Sequence, residues 1–133
     1  MGQQQLLLLI LSAIIVGLAI VTGINMFGEN AVQANKDAVM QDMLTIASRA
    51  QGWYRRPTQL GGGGRDYNNV SVDTLDFDGT NGNGTFTIAA TGGGVTALIT
   101  GNGIEDGDGD GTPLQLRITI GADTLSTLVV VNP

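Results

Sequence analysis

Carboxylates at alternate positions give this sequence its clearest sign of binding chemistry. Residues 105–111 read EDGDGDG and match the pattern D-x-D-x-D-G. Alternating carboxylates can fold around one hard cation such as Ca²⁺, and the intervening glycines allow the sharp turn that this requires. The predicted calcium ligands are Asp106, Asp108 and Asp110. The alternative is a solvated acidic loop that holds no metal.

The acidic segment is not an EF-hand. An EF-hand loop carries a bidentate Glu at its twelfth position, and Arg117 stands there in this chain. A further ligand would have to come from Glu105 or Asp123. Without the twelfth-position Glu we expect weak affinity, nearer to that of extracellular calcium modules than to that of intracellular sensors.

Histidine and cysteine are both absent from the 133 residues. The usual general bases, nucleophiles and zinc ligands are therefore missing, and no disulfide can support the fold. A carboxylate-only active site is the remaining enzymatic alternative. We predict a protein that is not an enzyme and requires no cofactor, with calcium as the one metal to consider.

The N-terminal part of the chain contains a long apolar segment. Residues 6–27 form a run of 22 residues without a charge, and the first ionisable side chain is Glu29. A helix needs about 20 apolar residues to cross a bilayer. A secretory signal peptide would have a basic start, a shorter apolar stretch and a small-residue cleavage site, which this segment lacks. A membrane anchor and a filament core are the two readings left open.

The next residues continue as an amphipathic helix. Apolar side chains recur at helical spacing on one face, at Val32, Val39, Met43, Ile46, Ala50 and Trp53. No proline interrupts before Pro57. The spacing predicts one helix over about residues 3–56, roughly 80 Å long at 1.5 Å per residue. Its second half can pack on the rest of the chain, whereas its first half has no partner in this chain.

An N-terminal helix that is apolar for 25 residues and amphipathic for the next 25, before a β-rich head, resembles the type IV pilins and pseudopilins. The Met1-Gly2 start resembles a very short class III leader, which implies cleavage after Gly2. The stretch YRRPTQLGGGG (residues 54–64) is also similar to small bacterial pilin-like proteins. Type IV pilins usually have Glu at mature position five, and this chain has Leu7 there.

The resemblance implies that the protein assembles with copies of itself into an extracellular filament. The inner membrane would hold the precursor, and the pilus assembly machinery would be a further partner. The predicted assembly residues are Leu6, Leu9, Ile15, Gly17, Gly23 and Phe27. Small residues allow helices to approach closely, although glycine is also common in membrane helices generally.

After the helix, the hydrophobic period changes to two. Residues 114–120 alternate apolar and polar side chains, and similar short runs lie at 70–77 (with a bulge), 86–88, 95–100 and 124–131. Gly61–Gly64 is followed by Arg65 rather than Lys and Ser or Thr, so we predict a turn and not a phosphate loop. The fold class predicted is α+β, with the long helix packed on an antiparallel sheet of four to five strands.

Four regions follow from these patterns: an apolar helix at 1–29, an amphipathic helix at 30–57, a Gly-rich linker at 58–68 and a β-rich head at 69–133. Residues 58–133 carry nine acids and two arginines, a net charge of −7 (2 − 9). Such a surface is not expected to bind nucleic acid. We predict a structural subunit of an extracellular type IV pilus-like filament. The alternatives are a type II secretion pseudopilin and a monomeric, membrane-anchored calcium-binding surface module.

Overall fold

A computed structural model describes residues 2–133 of the chain, and one helix dominates it. Helix α1 spans Gly2–Arg55 without interruption, 54 residues in all. The predicted helix over 3–56 is therefore confirmed to within one residue at each end. At 1.5 Å per residue the helix is about 80 Å long.

The tetraglycine segment ends the helix by folding back onto its last turn. The N–H of Gly63 donates to the carbonyl of Trp53 (2.9 Å), and the N–H of Gly64 donates to that of Arg56 (3.0 Å). These bonds satisfy carbonyls that a helix end leaves without partners. A Cβ on Gly62 would lie 2.2 Å from the carbonyl oxygen of Arg56. The sequence needs glycine here because the backbone of the turn touches the helix end.

The head contains one antiparallel meander of five strands, in the order β1-β2-β3-β4-β5. The strands are β1 Thr80–Asn81, β2 Gly84–Thr91, β3 Thr96–Asn102, β4 Gln115–Ile120 and β5 Val129–Asn132. Side chains on the central strands alternate between buried and exposed, as the period of two predicts. The molecule is thus an α+β protein with one long helix packed on a five-stranded sheet, as predicted.

The second half of α1 supplies one side of the hydrophobic core. Met43 and Ile46 are fully buried, in the same core as Leu116 and Ile118. The helix lies so close to β3 that a Cβ on Gly101 would be 2.8 Å from the sulfur of Met43. Along the predicted apolar face, every residue except Val32 is buried. The amphipathic pattern therefore identified the face that holds the head.

One predicted strand is wrong, and another is right only in part. Residues 70–77 form turns rather than a strand with a bulge, because Ser71 and Thr74 bond to each other's backbone and side chain and hold the segment in a local turn. The predicted strand at 124–131 is regular only from Val129, with Leu125 in an isolated bridge to Ile120.

Candidate functional site

The first half of α1 projects away from the head as a bare apolar rod, which we define as residues 6–27. Its 15 large apolar side chains are each 53–77% exposed, on every side of the helix. It is the one helix among residues 2–133 that is long and apolar enough to cross a membrane. At 1.5 Å per residue it spans about 33 Å, close to the roughly 30 Å of a hydrocarbon core. The structure therefore fits a membrane-embedded helix by length and composition.

The six predicted assembly residues all lie on this rod. Leu6, Leu9, Ile15 and Phe27 are exposed, at 60%, 67%, 57% and 77%. Nothing lies within 4 Å of a Cβ built on Gly17 or Gly23. The fold of a single chain thus gives no steric reason for these two glycines, although each costs about 0.5–1 kcal/mol relative to Ala in a helix.

The hydroxyl groups of the rod need no partner from outside. Ser12 donates to the carbonyls of Leu8 and Leu9 (both 2.9 Å), and Thr22 donates to that of Leu18 (2.7 Å). Such bonds to the preceding turn satisfy a hydroxyl inside an apolar surrounding. Both side chains are therefore compatible with lipid and with a bundle of helices.

A shallow apolar groove runs along one side of the rod. It is lined by Leu9, Val16 and Ile20 and by the small residues Ser12, Ala13 and Gly17. Small residues at such positions allow a second helix to approach closely. The groove therefore places small residues on a side of the rod where another helix could contact it.

The acidic loop (residues 105–111) brings the three predicted ligands together. One carboxylate oxygen from each of Asp106, Asp108 and Asp110 lies within 4.8 Å of the other two. The two oxygens of Asp106 accept the N–H groups of Gly109 and Gly111, each at 2.7 Å. The spacing D-x-D-x-D thus predicted which side chains converge. Calcium binding at this loop stays a prediction.

Hydrogen bonds lower the pKa of two carboxyl groups in this loop. The Gly111 N–H, followed by that of Gly109, lowers the pKa of Asp106 below its usual value. The hydroxyl of Thr112, followed by its backbone N–H, lowers the pKa of Asp110. Both carboxylates are therefore held ionised to a lower pH than in an unfolded chain, which keeps the loop negatively charged.

The two candidates for a further ligand lie in different places. Glu105 and Asp106 line a cleft of about 710 Å³ between the loop and residues 24–33 of α1, where Glu29 adds a carboxylate. Asp123 instead pairs with Arg55 at the far end of the helix. That is about 33 Å from Gln33 at 1.5 Å per residue. Asp123 is therefore excluded as a ligand of the acidic loop, whereas Glu105 adjoins it.

The base of the loop is tied to the helix by Asn35, a residue that the sequence analysis did not select. Its side chain is only 8% exposed. The amide nitrogen donates to the carbonyl of Asn83 (2.8 Å), and the amide oxygen accepts the N–H groups of Ile104 (3.0 Å) and Glu105 (3.3 Å). One polar side chain on the buried face thus joins α1 to two loops. The signal available in the sequence was its spacing, since Asn35 lies four residues before Val39 and therefore on the same face of the helix.

Comparisons with protein-family models, with curated proteins and with solved structures gave no match to this chain.

Proposed function

We propose that this protein is the structural subunit of an extracellular type IV pilus-like filament. Before assembly the rod lies in the inner membrane, with the head outside the bilayer. During assembly the rods of many copies leave the lipid and pack together in the fibre core, with the heads on the outer wall. The reaction is association of helices, with no catalytic step.

The observation that carries this proposal is the contrast between the two halves of α1. The second half has one buried stripe, whereas the rod exposes 15 large apolar side chains. Leaving them in water would cost on the order of 15–30 kcal/mol at about 60% exposure. Lipid or other copies must therefore cover the rod.

Two features favour the rods of other copies, rather than lipid, as the final contact of the rod. Gly17 and Gly23 have no steric role within one chain, and Gly17 lies in the groove that suits a second helix. Because lipid is as apolar as leucine, assembly would gain from close packing and not from the release of water. Small residues at the helix surface provide that packing.

The test is an acidic substitution in the rod of the full chain, expressed in a host that supplies a pilus assembly machinery. Leu9→Asp or Ile15→Asp should abolish filaments in electron micrographs of sheared surface material, because an unpaired carboxylate in an apolar core costs several kcal/mol. Val95→Asp is the matched control, since Val95 is 65% exposed on the head. It should leave filament yield unchanged.

The outcomes separate the alternatives. Fibres at wild-type yield from Leu9→Asp would contradict a core made of rods. Short fibres that stay attached to the cell would favour a pseudopilin. An unsubstituted chain that remains in the membrane and sheds no fibres would favour a monomeric anchor, which the 33 Å length of the rod (about 22 residues at 1.5 Å) also suits.

A further inference from the structure

Most of the basic residues of this protein lie towards one end of the head. Four of the six basic residues lie at or just beyond the C-terminal end of α1, at Arg49, Arg55, Arg56 and Arg65. The acidic loop lies at the other end of the head, beside residues 24–33. The head therefore has a cluster of arginines at one end and the acidic loop at the other.

The basic end contains a cavity of about 350 Å³ whose wall includes Arg49, Arg56 and Trp53. Arg49 is fixed in place, since its guanidinium donates to the carbonyls of Leu75 (3.4 Å) and Asp76. Arg56 has no ion-pair partner, because the sole ion pair among residues 2–133 joins Arg55 to Asp123. One guanidinium is thus positioned and the other is free.

The remaining wall of the cavity adds mostly donors. Trp53 is only 6% exposed, and its indole N–H is the one buried side-chain polar atom in the described part of the chain without a partner. Thr74 also lines the cavity, with its hydroxyl already donating to the carbonyl of Ser71 (2.8 Å), and Asp76 contributes the single acid. With two arginines against one aspartate, the wall carries a net charge of +1, and the guanidinium of Arg56 suits a carboxylate.

We infer that this cavity receives the acidic loop of a second copy of this chain. The inference rests on the proposed function, in which copies lie parallel with their rods together. Asp108 and Asp110 are exposed on the loop, so they can reach a neighbour. Arg56 has no ion-pair partner among residues 2–133 and would gain one between copies. Such charge pairs fix register and exclude wrong neighbours more than they add affinity.

The contact fixes a distance between the two copies. The acidic loop lies at the level of residues 24–33 of α1, and the cavity at the level of residues 49–56. Their midpoints are about 24 residues apart, which is roughly 36 Å along a helix at 1.5 Å per residue. Copies in this contact are therefore related by an axial translation of about 36 Å.

A crosslink between the two ends tests the contact in filaments of the full chain. The chain has no cysteine, so the double variant Arg56→Cys, Asp108→Cys carries only the introduced pair. A short bis-maleimide suits this better than oxidation, since a disulfide needs Cα atoms about 4.4–6.8 Å apart and an Arg–Asp pair lies further apart. Each copy holds both halves of the contact, so crosslinked filaments should give a ladder of multimers on a denaturing gel.

Matched variants separate the contact from chance encounters. Arg56→Cys alone, and Arg56→Cys with Val95→Cys, should give no ladder. The ladder should also disappear when Leu9→Asp is added to the reactive pair, because that change prevents assembly. Filaments that give no more crosslinking than the Val95 pair would overturn the inference while the proposed function stood. Absence of fibres from the unsubstituted chain would remove both.

If the cysteine variants do not assemble, an electron microscopy reconstruction of unsubstituted filaments tests the contact instead. The inference predicts that the guanidinium of Arg56 lies within about 4 Å of a carboxylate at residues 106–110 of a neighbour. A separation beyond about 10 Å, the Debye length at 0.1 M salt, would overturn it.

Discussion

Replacing Asn35 by leucine should loosen the base of the head. The leucine is close in size to asparagine, but it leaves the carbonyl of Asn83 and the N–H groups of Ile104 and Glu105 without their partner. An unsatisfied buried polar group costs about 1–3 kcal/mol. One of the three bonds is long (3.3 Å) and all three are only partly buried, so water can replace some of the loss. We expect a total destabilisation of roughly 2–4 kcal/mol.

The assay is urea unfolding of a soluble fragment, residues 29–133, which contains every residue of the core. The single tryptophan, Trp53, is buried and reports the transition. With an m-value of about 1–2 kcal/mol/M, the midpoint should fall by roughly 1–4 M. Amide exchange at Ile104 and Glu105 should accelerate as well, because those N–H groups lose their acceptor.

The matched control is Gln33→Leu on the same helix. The Gln33 amide donates only to Asp37, at the exposed surface, so its loss should change stability by less than about 0.5 kcal/mol. If the unfolding free energies of the Asn35→Leu and Gln33→Leu fragments differ by less than about 0.5 kcal/mol, Asn35 does not hold the loops to the helix. Both substitutions would then have the small effect of an ordinary surface change.

Three further predictions concern the head. Ile46→Ala should destabilise the fragment by about 2–4 kcal/mol, because it leaves a cavity in a fully buried site. The control Leu44→Ala, at an exposed position of the same helix, should cost under about 0.5 kcal/mol. Equal losses of stability in the two variants would contradict the packing of this helix face on the sheet. The pKa values of Asp106 and Asp110 are lowered in the folded protein. Their contribution to stability is therefore full above their unfolded pKa of about 4 and is lost as the pH falls through the lowered values. NMR titration midpoints of the two carboxyl groups that equal those measured in urea would refute this prediction. Calcium at 10 mM, roughly ten times the weak extracellular limit, should raise the melting temperature of the fragment relative to its value in chelator. The double variant Asp108→Ala, Asp110→Ala should lose most of that shift. If calorimetry shows no heat of binding and the melting temperature does not change, the segment is a solvated loop without calcium.

The sequence predicted best where a pattern repeats over many residues. Helix α1 could be bounded at 3–56 because its apolar stripe recurs for six turns and no proline interrupts it. Strand β4 was visible because Leu116, Ile118 and Ile120 alternate with polar residues. The convergence of Asp106, Asp108 and Asp110 followed from their spacing alone.

Prediction failed where a local side-chain bond or a distant partner decides the structure. The segment 70–77 has the composition of a strand, yet Ser71 and Thr74 satisfy its backbone locally and turn it. The role of Asn35 could not be predicted from the sequence, because its hydrogen-bond partners lie 48 to 70 residues away. The rod is apolar all round, which both lipid and a helix bundle require, and residue types therefore indicate both environments equally.

The most direct test of the central claim is a cryo-electron microscopy reconstruction of fibres sheared from cells that produce the unsubstituted chain. The account predicts a core of parallel helices formed by residues 6–27 of successive copies, with Gly17 facing a neighbouring helix and the sheets on the outer wall. Fibres with heads at the axis and rods outside would contradict the account. So would a chain that stays in the membrane, with no fibres in the sheared material.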